Sequence, residues 1–228
     1  MWRSAKGAAT RYLSPGAGGE VSAREVAARY LAALEEAPGQ GEALAVFRVT
    51  RKAAQDLGAL WQEVAARGWE LALQDRGLAP LAGEPAEVLA PGLSGVLAGS
   101  GGGLEEAVVR SALALVIGPA VQSRNRPEPA QIVRQFLVTA LHLRLALDLG
   151  EPLEAAAGGF GRLRDGLSRI KAVIEAGALA ADTPSEPPAT SGLWQGFTGW
   201  TWVTEVMAGL MRNLEPGDPP GRPSGSTG

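Results

Sequence analysis

The single histidine, His142, is the first residue to consider for chemistry, because imidazole is a common general base near neutral pH. On a helical wheel it falls beside Gln131, Gln135 and Thr139, so these four residues form a polar strip on one predicted helix. The chain has no cysteine, and no serine stands in a GxSxG motif. We therefore interpret the strip as the solvent-facing side of a helix and predict no catalytic residue.

The sequence lacks the residues and motifs that usually form metal and nucleotide sites. One histidine and no cysteine cannot provide the usual zinc ligand sets, and adjacent carboxylates such as Glu35 and Glu36 are typical of solvated helix faces. The glycine-rich run 99–103 precedes a predicted helix, but it lacks the Lys-Ser/Thr of a P-loop. Glu105 and Glu106 follow it and would repel an anion. We predict no metal and no cofactor.

Basic residues provide a more specific hypothesis. Residues 110–171 hold nine basic and five acidic side chains, although the whole chain carries a net charge of −3. If the fold brings the basic residues together, they would form a patch able to hold phosphates. The candidate nucleic-acid-binding residues are Arg124 and Arg126 in a loop, and Arg162, Arg164, Arg169 and Lys171 on a helix.

The C-terminal segment 193–214 is rich in tryptophan and methionine, and its apolar residues follow a helical period. One interpretation is that this helix closes the protein's own core. Another is docking into a partner's groove, and insertion at a membrane interface is the weakest, because Arg212 is the one cation of the polar face. The candidate partner-binding residues are Trp194, Phe197, Trp200, Trp202, Met207 and Met211.

These residues must be positioned by helices, because alanine and leucine dominate the composition while strand-forming residues are sparse. We predict an all-α fold, an irregular bundle of six or seven helices with flexible termini. Residues 130–149 are the predicted central helix, because apolar residues line two of its sides. A long helix from about residue 41 to 75 carries an apolar seam over 47–71, which either packs inside the domain or forms a homodimer.

The predicted organisation has five parts. Residues 1–20 form a flexible basic N-terminal arm, 21–181 a helical bundle domain, 182–192 a linker, 193–214 the tryptophan-rich helix, and 215–228 a disordered tail. No secretory signal and no apolar run long enough to cross a bilayer is present. We therefore expect a cytoplasmic protein without membrane contact.

These observations favour a non-enzymatic function. The sequence offers few candidate catalytic residues but many apolar helix faces for packing and contact. We therefore predict a helical adaptor or accessory subunit that binds one or more protein subunits of a larger assembly. One alternative is a small helical subunit that contacts nucleic acid in a nucleoprotein complex. A further alternative is an enzyme with a carboxylate-lined pocket.

Overall fold

The computed structural model describes residues 2–14, 16, 21–36, 43–181 and 186–215. Within these residues it contains eleven α-helices, a short 3-10 helix at Ala79–Leu81 and no strand, which confirms the all-α prediction. The helices are α1 Trp2–Leu13, α2 Ala23–Glu35, α3 Ala43–Val46, α4 Arg48–Gln74, α5 Ala86–Ala98, α6 Leu104–Gln122, α7 Pro129–Asp148, α8 Gly150–Ala157, α9 Phe160–Ala180, α10 Ser191–Gln195 and α11 Phe197–Leu214. The prediction of six or seven helices was too low, because α1 was expected to be a flexible arm and the short helices α3, α8 and α10 were merged with their neighbours.

The N-terminal segment differs most from its prediction. The expected flexible arm of residues 1–20 is instead largely α1, which packs against α2, α8 and α9. Its buried side chains, Ala5, Ala8, Ala9 and Leu13, share one face and are mostly small, so the helix approaches its neighbours closely. The Tyr12 hydroxyl donates a hydrogen bond of 3.2 Å to the Gly166 carbonyl of α9. The basic residues that suggested an arm lie on the outer face of this helix.

The predicted long helix is present as α3 and α4, with a bend at Gly68, whose φ of 82° and ψ of 168° favour glycine. The seam residues Phe47, Leu57, Trp61 and Val64 are buried, and α7, α10 and α11 pack against α4. The apolar seam therefore has partners within the chain. The homodimer through residues 47–71 stays an untested prediction, and it would have to form without these buried side chains.

Helix α7 lies at the centre of the bundle, as predicted. It begins at Pro129, where proline is favoured because the first helical amide needs no acceptor. Ile132, Val133, Phe136 and Leu137 are completely buried. Helices α4, α6, α8, α9 and α11 pack around α7, so it holds the core together.

The tryptophan-rich segment is two helices, α10 and α11, separated at Gly196, and not one. The Thr190 side chain caps α10 by accepting a hydrogen bond of 3.3 Å from the Leu193 amide. Helix α11 packs against α2, α4 and α9.

Of the predicted linker, residues 182–185 lie outside the described residues, and so does the predicted tail beyond residue 215. No helix in the described ranges is both long and apolar enough to span a bilayer.

Candidate functional site

A groove of about 840 Å³ lies over the outer face of α7 and is called the α7 groove. Helix α6 forms one wall and α9 the other, while α7 forms the floor and the loop 123–128 closes one end. The residues that line it are Leu115, Val116, Pro119 and Ala120 of α6, Ser123, Asn125, Arg126 and Pro127 of the loop, Gln131, Arg134, Gln135, Val138 and Thr139 of α7, and Lys171, Glu175, Ala178 and Leu179 of α9.

The loop at the end of the groove is held in place by α4. The Trp61 indole donates a hydrogen bond of 3.1 Å to the Pro127 carbonyl, and the Arg126 guanidinium donates one of 3.3 Å to the Val64 carbonyl. Arg126 also lies 5.8 Å from the centre of the Trp69 ring, within the range of a cation–π contact. A fixed loop means that the Arg126 charge has a defined position at the rim.

Three cations and one carboxylate line the groove. The Arg134 guanidinium lies 5.4 Å from the centre of the Trp202 ring, and the Lys171 ammonium is 3.6 Å from the Glu175 carboxylate. Arg126 is the third cation. The groove is thus net positive, and its cations stand beside aliphatic side chains instead of forming a continuous basic surface.

Apolar side chains stand on both walls of the groove. Leu115 of α6 is 59% exposed and Leu179 of α9 is 88% exposed, although both are large aliphatic residues. The floor and inner wall between them include Val116 and Val138, which are buried. The groove therefore combines apolar anchoring points with a cationic rim, a mixture typical of surfaces that bind other molecules.

Two of the six predicted nucleic-acid-binding residues lie together at the α7 groove. Arg126 and Lys171 line the groove, and Arg124 is exposed in the same loop without lining it. Arg162, Arg164 and Arg169 are exposed on the N-terminal half of α9. At 1.5 Å per residue, Arg162 stands roughly 13 Å along the helix from Lys171.

The groove also contains a cation that the sequence reasoning missed, Arg134. The available signal was its position on α7 next to Gln131 and Gln135, two residues of the predicted polar strip. Both glutamines are exposed and line the groove, so part of that strip is the groove floor.

A protein-family model described as "QatB: Qat anti-phage system associated protein QatB" matches residues 38–178, more than half of the chain. The chain belongs to this family. No curated protein and no solved structure matches it. The matched segment runs from α3 into the last turn of α9, so it contains every lining residue of the α7 groove except Leu179. Helices α1, α2, α10 and α11 lie outside the match.

The predicted partner-binding residues of this QatB-family chain are mostly in its own core. Trp194, Trp202, Met207 and Met211 are buried. Trp200 is half-buried and lies 4.6 Å from the Arg51 guanidinium, as measured to the ring centre. Only Phe197 of the six is highly exposed, at 82%. The segment closes the core, which was one of the predicted interpretations.

Trp194 shows how tightly the segment fits. Its ring lies against Gly58 of α4, where a Cβ atom would overlap it, and edge-on to Trp202 at 5.1 Å. The Gln55 amide donates a hydrogen bond of 2.8 Å to the Gly196 carbonyl, which fixes the break between α10 and α11 to α4. These contacts join α10 and α11 to the matched part of the QatB-family chain.

His142 is not at the solvent-facing position that we expected. It is half-buried between α7 and α9, and its Nε2 lies 3.1 Å from the Leu167 carbonyl, so the ring donates from Nε2. Burial lowers the pKa of His142, against a smaller raising effect of that hydrogen bond. His142 thus joins two helices of the QatB-family fold.

Two further groups with shifted pKa values are also bound within the fold. Glu105 accepts hydrogen bonds from the Thr50 amide at 2.9 Å and hydroxyl at 3.2 Å, and so caps the first turn of α4; burial raises its pKa. Tyr30 donates a hydrogen bond of 2.8 Å to Asp148, which also accepts one of 2.8 Å from Arg144. Burial, reinforced by Asp148, raises the pKa of Tyr30 well above its ordinary value.

Among the described residues, no three histidine or carboxylate side chains stand close enough together to hold a metal ion. The space beside the glycine-rich run before α6 is filled by a side chain of the same protein. The Glu106 carboxylate folds back onto Gly101 and Gly103, in the space that Cβ atoms would take there. An acidic side chain at this position disfavours a bound phosphate.

Proposed function

We propose that this QatB-family chain serves an anti-phage system as a non-catalytic, helical accessory subunit that acts by binding another protein. The family description supports the association with an anti-phage system. The α7 groove is the observation that supports a binding function, because it lies almost entirely within the segment that the family model matches. A cytoplasmic location is part of the proposal.

The bonding of the ionisable side chains supports a non-catalytic role. Three acid–base candidates whose pKa values are shifted, His142, Glu105 and Tyr30, are each hydrogen-bonded to another helix of the same chain. A catalytic acid or base needs to reach its substrate within hydrogen-bonding distance. The three side chains instead connect α7 to α9, α4 to α6 and α2 to α7, which is a structural use of buried polar groups.

A plaque assay tests the association with anti-phage defence. Cells that carry the complete system are compared with cells in which a stop codon interrupts this chain. We expect the interruption to raise phage plating by at least tenfold. Plating that stays as low without the chain as with it would remove the proposed role.

The same assay tests the non-catalytic part. Glu105→Gln keeps an oxygen that accepts from Thr50, and His142→Gln keeps an amide that can donate towards Leu167. We expect both variants, once circular dichroism shows that they are folded, to protect as well as the natural chain. Loss of protection in a folded variant would indicate acid–base chemistry and contradict the proposal.

Nucleic-acid contact is a second candidate function, favoured by the convergence of Arg126, Arg134 and Lys171 at one groove. Binding through phosphates would weaken steeply as salt is raised, because bound counterions are released. This candidate predicts that the full chain binds an oligonucleotide and that the binding falls when Arg126 and Lys171 are replaced by glutamine. Absent or salt-insensitive binding would eliminate this candidate.

A further inference from the structure

We propose that the α7 groove is the docking site for an acidic, amphipathic helix of a partner protein, an inference that rests on the proposed accessory function. In this binding mode, apolar side chains of the partner helix enter the groove, and charged side chains on the flanks of that helix contact the groove rim. Shape, apolar surface and charge each support this occupant.

The shape of the groove fits a helix. Helices α6 and α9 both pack on α7 and both line the groove, so an occupant above α7 would lie between two helical walls. The floor runs from Gln131 to Thr139 and the α9 wall from Lys171 to Leu179. Each of these stretches spans about 12 Å at 1.5 Å per residue, which is roughly two turns of a ligand helix.

The apolar walls explain why the occupant should have an apolar face. Leu115 and Leu179 expose most of their aliphatic surface from opposite sides of the groove. Covering such side chains is favourable by about 25 cal/mol per Å² of apolar surface removed from water. An amphipathic helix presents residues at three- and four-residue spacing along one face, so it can contact both walls at once.

The rim charges explain why the occupant should be acidic. In the part of the chain that the structure describes, Arg126 and Arg134 form no ion pair with a carboxylate; their guanidinium groups lie near the rings of Trp69 and Trp202. Lys171 has Glu175 as a partner. Carboxylates on the flanks of a ligand helix would complement the net positive rim and steer the encounter.

The lining favours protein over nucleic acid. None of its residues is aromatic, so it offers no ring for a base to stack on, whereas stacking is a main contribution to single-strand binding. Leucine, valine, proline and alanine make up much of its walls. Of the other predicted basic residues of α9, Arg162 and Arg164 stand about two turns or more from Lys171, and Arg169, although within one turn of it, does not line the groove. A nucleic-acid backbone would therefore meet leucine where it needs cations.

The direct test measures the fluorescence anisotropy of a fluorescein-labelled synthetic helix added to the full chain. The peptide carries leucine at three- and four-residue spacing, glutamate on both flanks and alanine elsewhere. A second peptide has lysine in place of each glutamate, and a labelled single-stranded oligonucleotide is the nucleic-acid probe. We expect the glutamate peptide to bind at least tenfold more tightly than the lysine peptide, and the oligonucleotide not to compete with it.

A pair of matched variants locates the binding. Gln131→Glu/Gln135→Glu places two negative charges on the groove floor, at exposed side chains for which no side-chain hydrogen bond is described. Gln74→Glu/Gln195→Glu adds the same charge at exposed glutamines outside the groove. We expect the first variant to weaken binding of the glutamate peptide at least tenfold and the second to leave it unchanged. Circular dichroism and urea unfolding verify that both variants fold.

The outcomes separate this inference from the function on which it rests. No binding of the glutamate peptide, equal effects of the two variants, or preferential binding of the oligonucleotide would overturn the docking site. The same two variants are then placed in the plaque assay. Protection that survives in the groove variant but is lost when the chain is interrupted would refute the docking site and leave the accessory function standing; protection without the chain would refute that function.

Discussion

The contact between Trp194 and Gly58 allows a stability test in which the effect of one substitution on the free energy of unfolding changes sign between two backgrounds. Trp194 is completely buried, with its ring against Gly58 and edge-on to Trp202 at 5.1 Å. Replacing a buried tryptophan by alanine costs about 3–5 kcal/mol, and the lost aromatic pair adds about 0.5–1.5 kcal/mol. We therefore expect Trp194→Ala to lower the free energy of unfolding by about 3.5–6.5 kcal/mol.

Gly58→Ala should behave differently in the two backgrounds. In the natural chain the new methyl group overlaps the Trp194 ring. Such overpacking costs about 1–3 kcal/mol, and the better helix propensity of alanine returns about 1 kcal/mol, which leaves a net cost of about 0–2 kcal/mol. In Trp194→Ala the ring is gone, so Gly58→Ala should stabilise by about 1 kcal/mol.

The measurement is urea unfolding of the four proteins of this cycle, followed by far-ultraviolet circular dichroism because one tryptophan is removed. We expect a coupling free energy of about 1–3 kcal/mol, which is the overpacking cost that disappears with the ring. Gly161→Ala in α9 is the control, since nothing lies near its added Cβ, and it should be stabilising in both backgrounds. An equal cost of Gly58→Ala with and without Trp194 would refute the packing of α10 against α4.

Three further predictions concern the buried polar groups. The His142 ring, followed by NMR, should titrate with a midpoint below 6.5, because burial lowers its pKa. The unfolded chain then binds the proton more tightly than the folded chain does, so the contribution of His142 to stability is lost as the pH falls through the folded pKa. Glu105→Gln should remove a decline in stability that occurs as the pH rises through the raised folded pKa of this carboxyl, measured by urea unfolding across pH. Tyr30→Phe should lower the free energy of unfolding by about 1–3 kcal/mol, because it leaves the Asp148 oxygen short of a donor, and an unchanged midpoint in urea would contradict this.

The sequence predicted the elements whose apolar pattern is dense and whose ends carry a strong signal. Helix α7 has buried residues on two sides and a proline at its start, and it was placed within one residue at each end. Helix α1 was missed because its buried face consists mainly of alanine, which is a weak hydrophobic signal beside Arg3, Lys6 and Arg11. Burial of alanine depends on close approach by α2 and α8, which local pattern does not reveal.

The groove was less predictable, because it exists only between elements. Its lining comes from positions as far apart as Leu115 and Leu179, so no local spacing could indicate it. Sequence reasoning found Arg126 and Lys171 by charge, but grouped them with Arg162 and Arg164, which lie farther along α9. Proximity along one helix was taken as proximity in space, although α9 is longer than the groove.

The polar strip of α7 shows most clearly why position in the fold decides function. Gln131, Gln135, Thr139 and His142 follow one another along the same face, yet they have different surroundings. His142 forms a half-buried hydrogen bond with Leu167 of α9, whereas Gln131 and Gln135 are open to solvent between α6 and α9. The histidine that was considered for catalysis thus connects two helices, and the two glutamines lie in the groove where we propose that a partner helix binds.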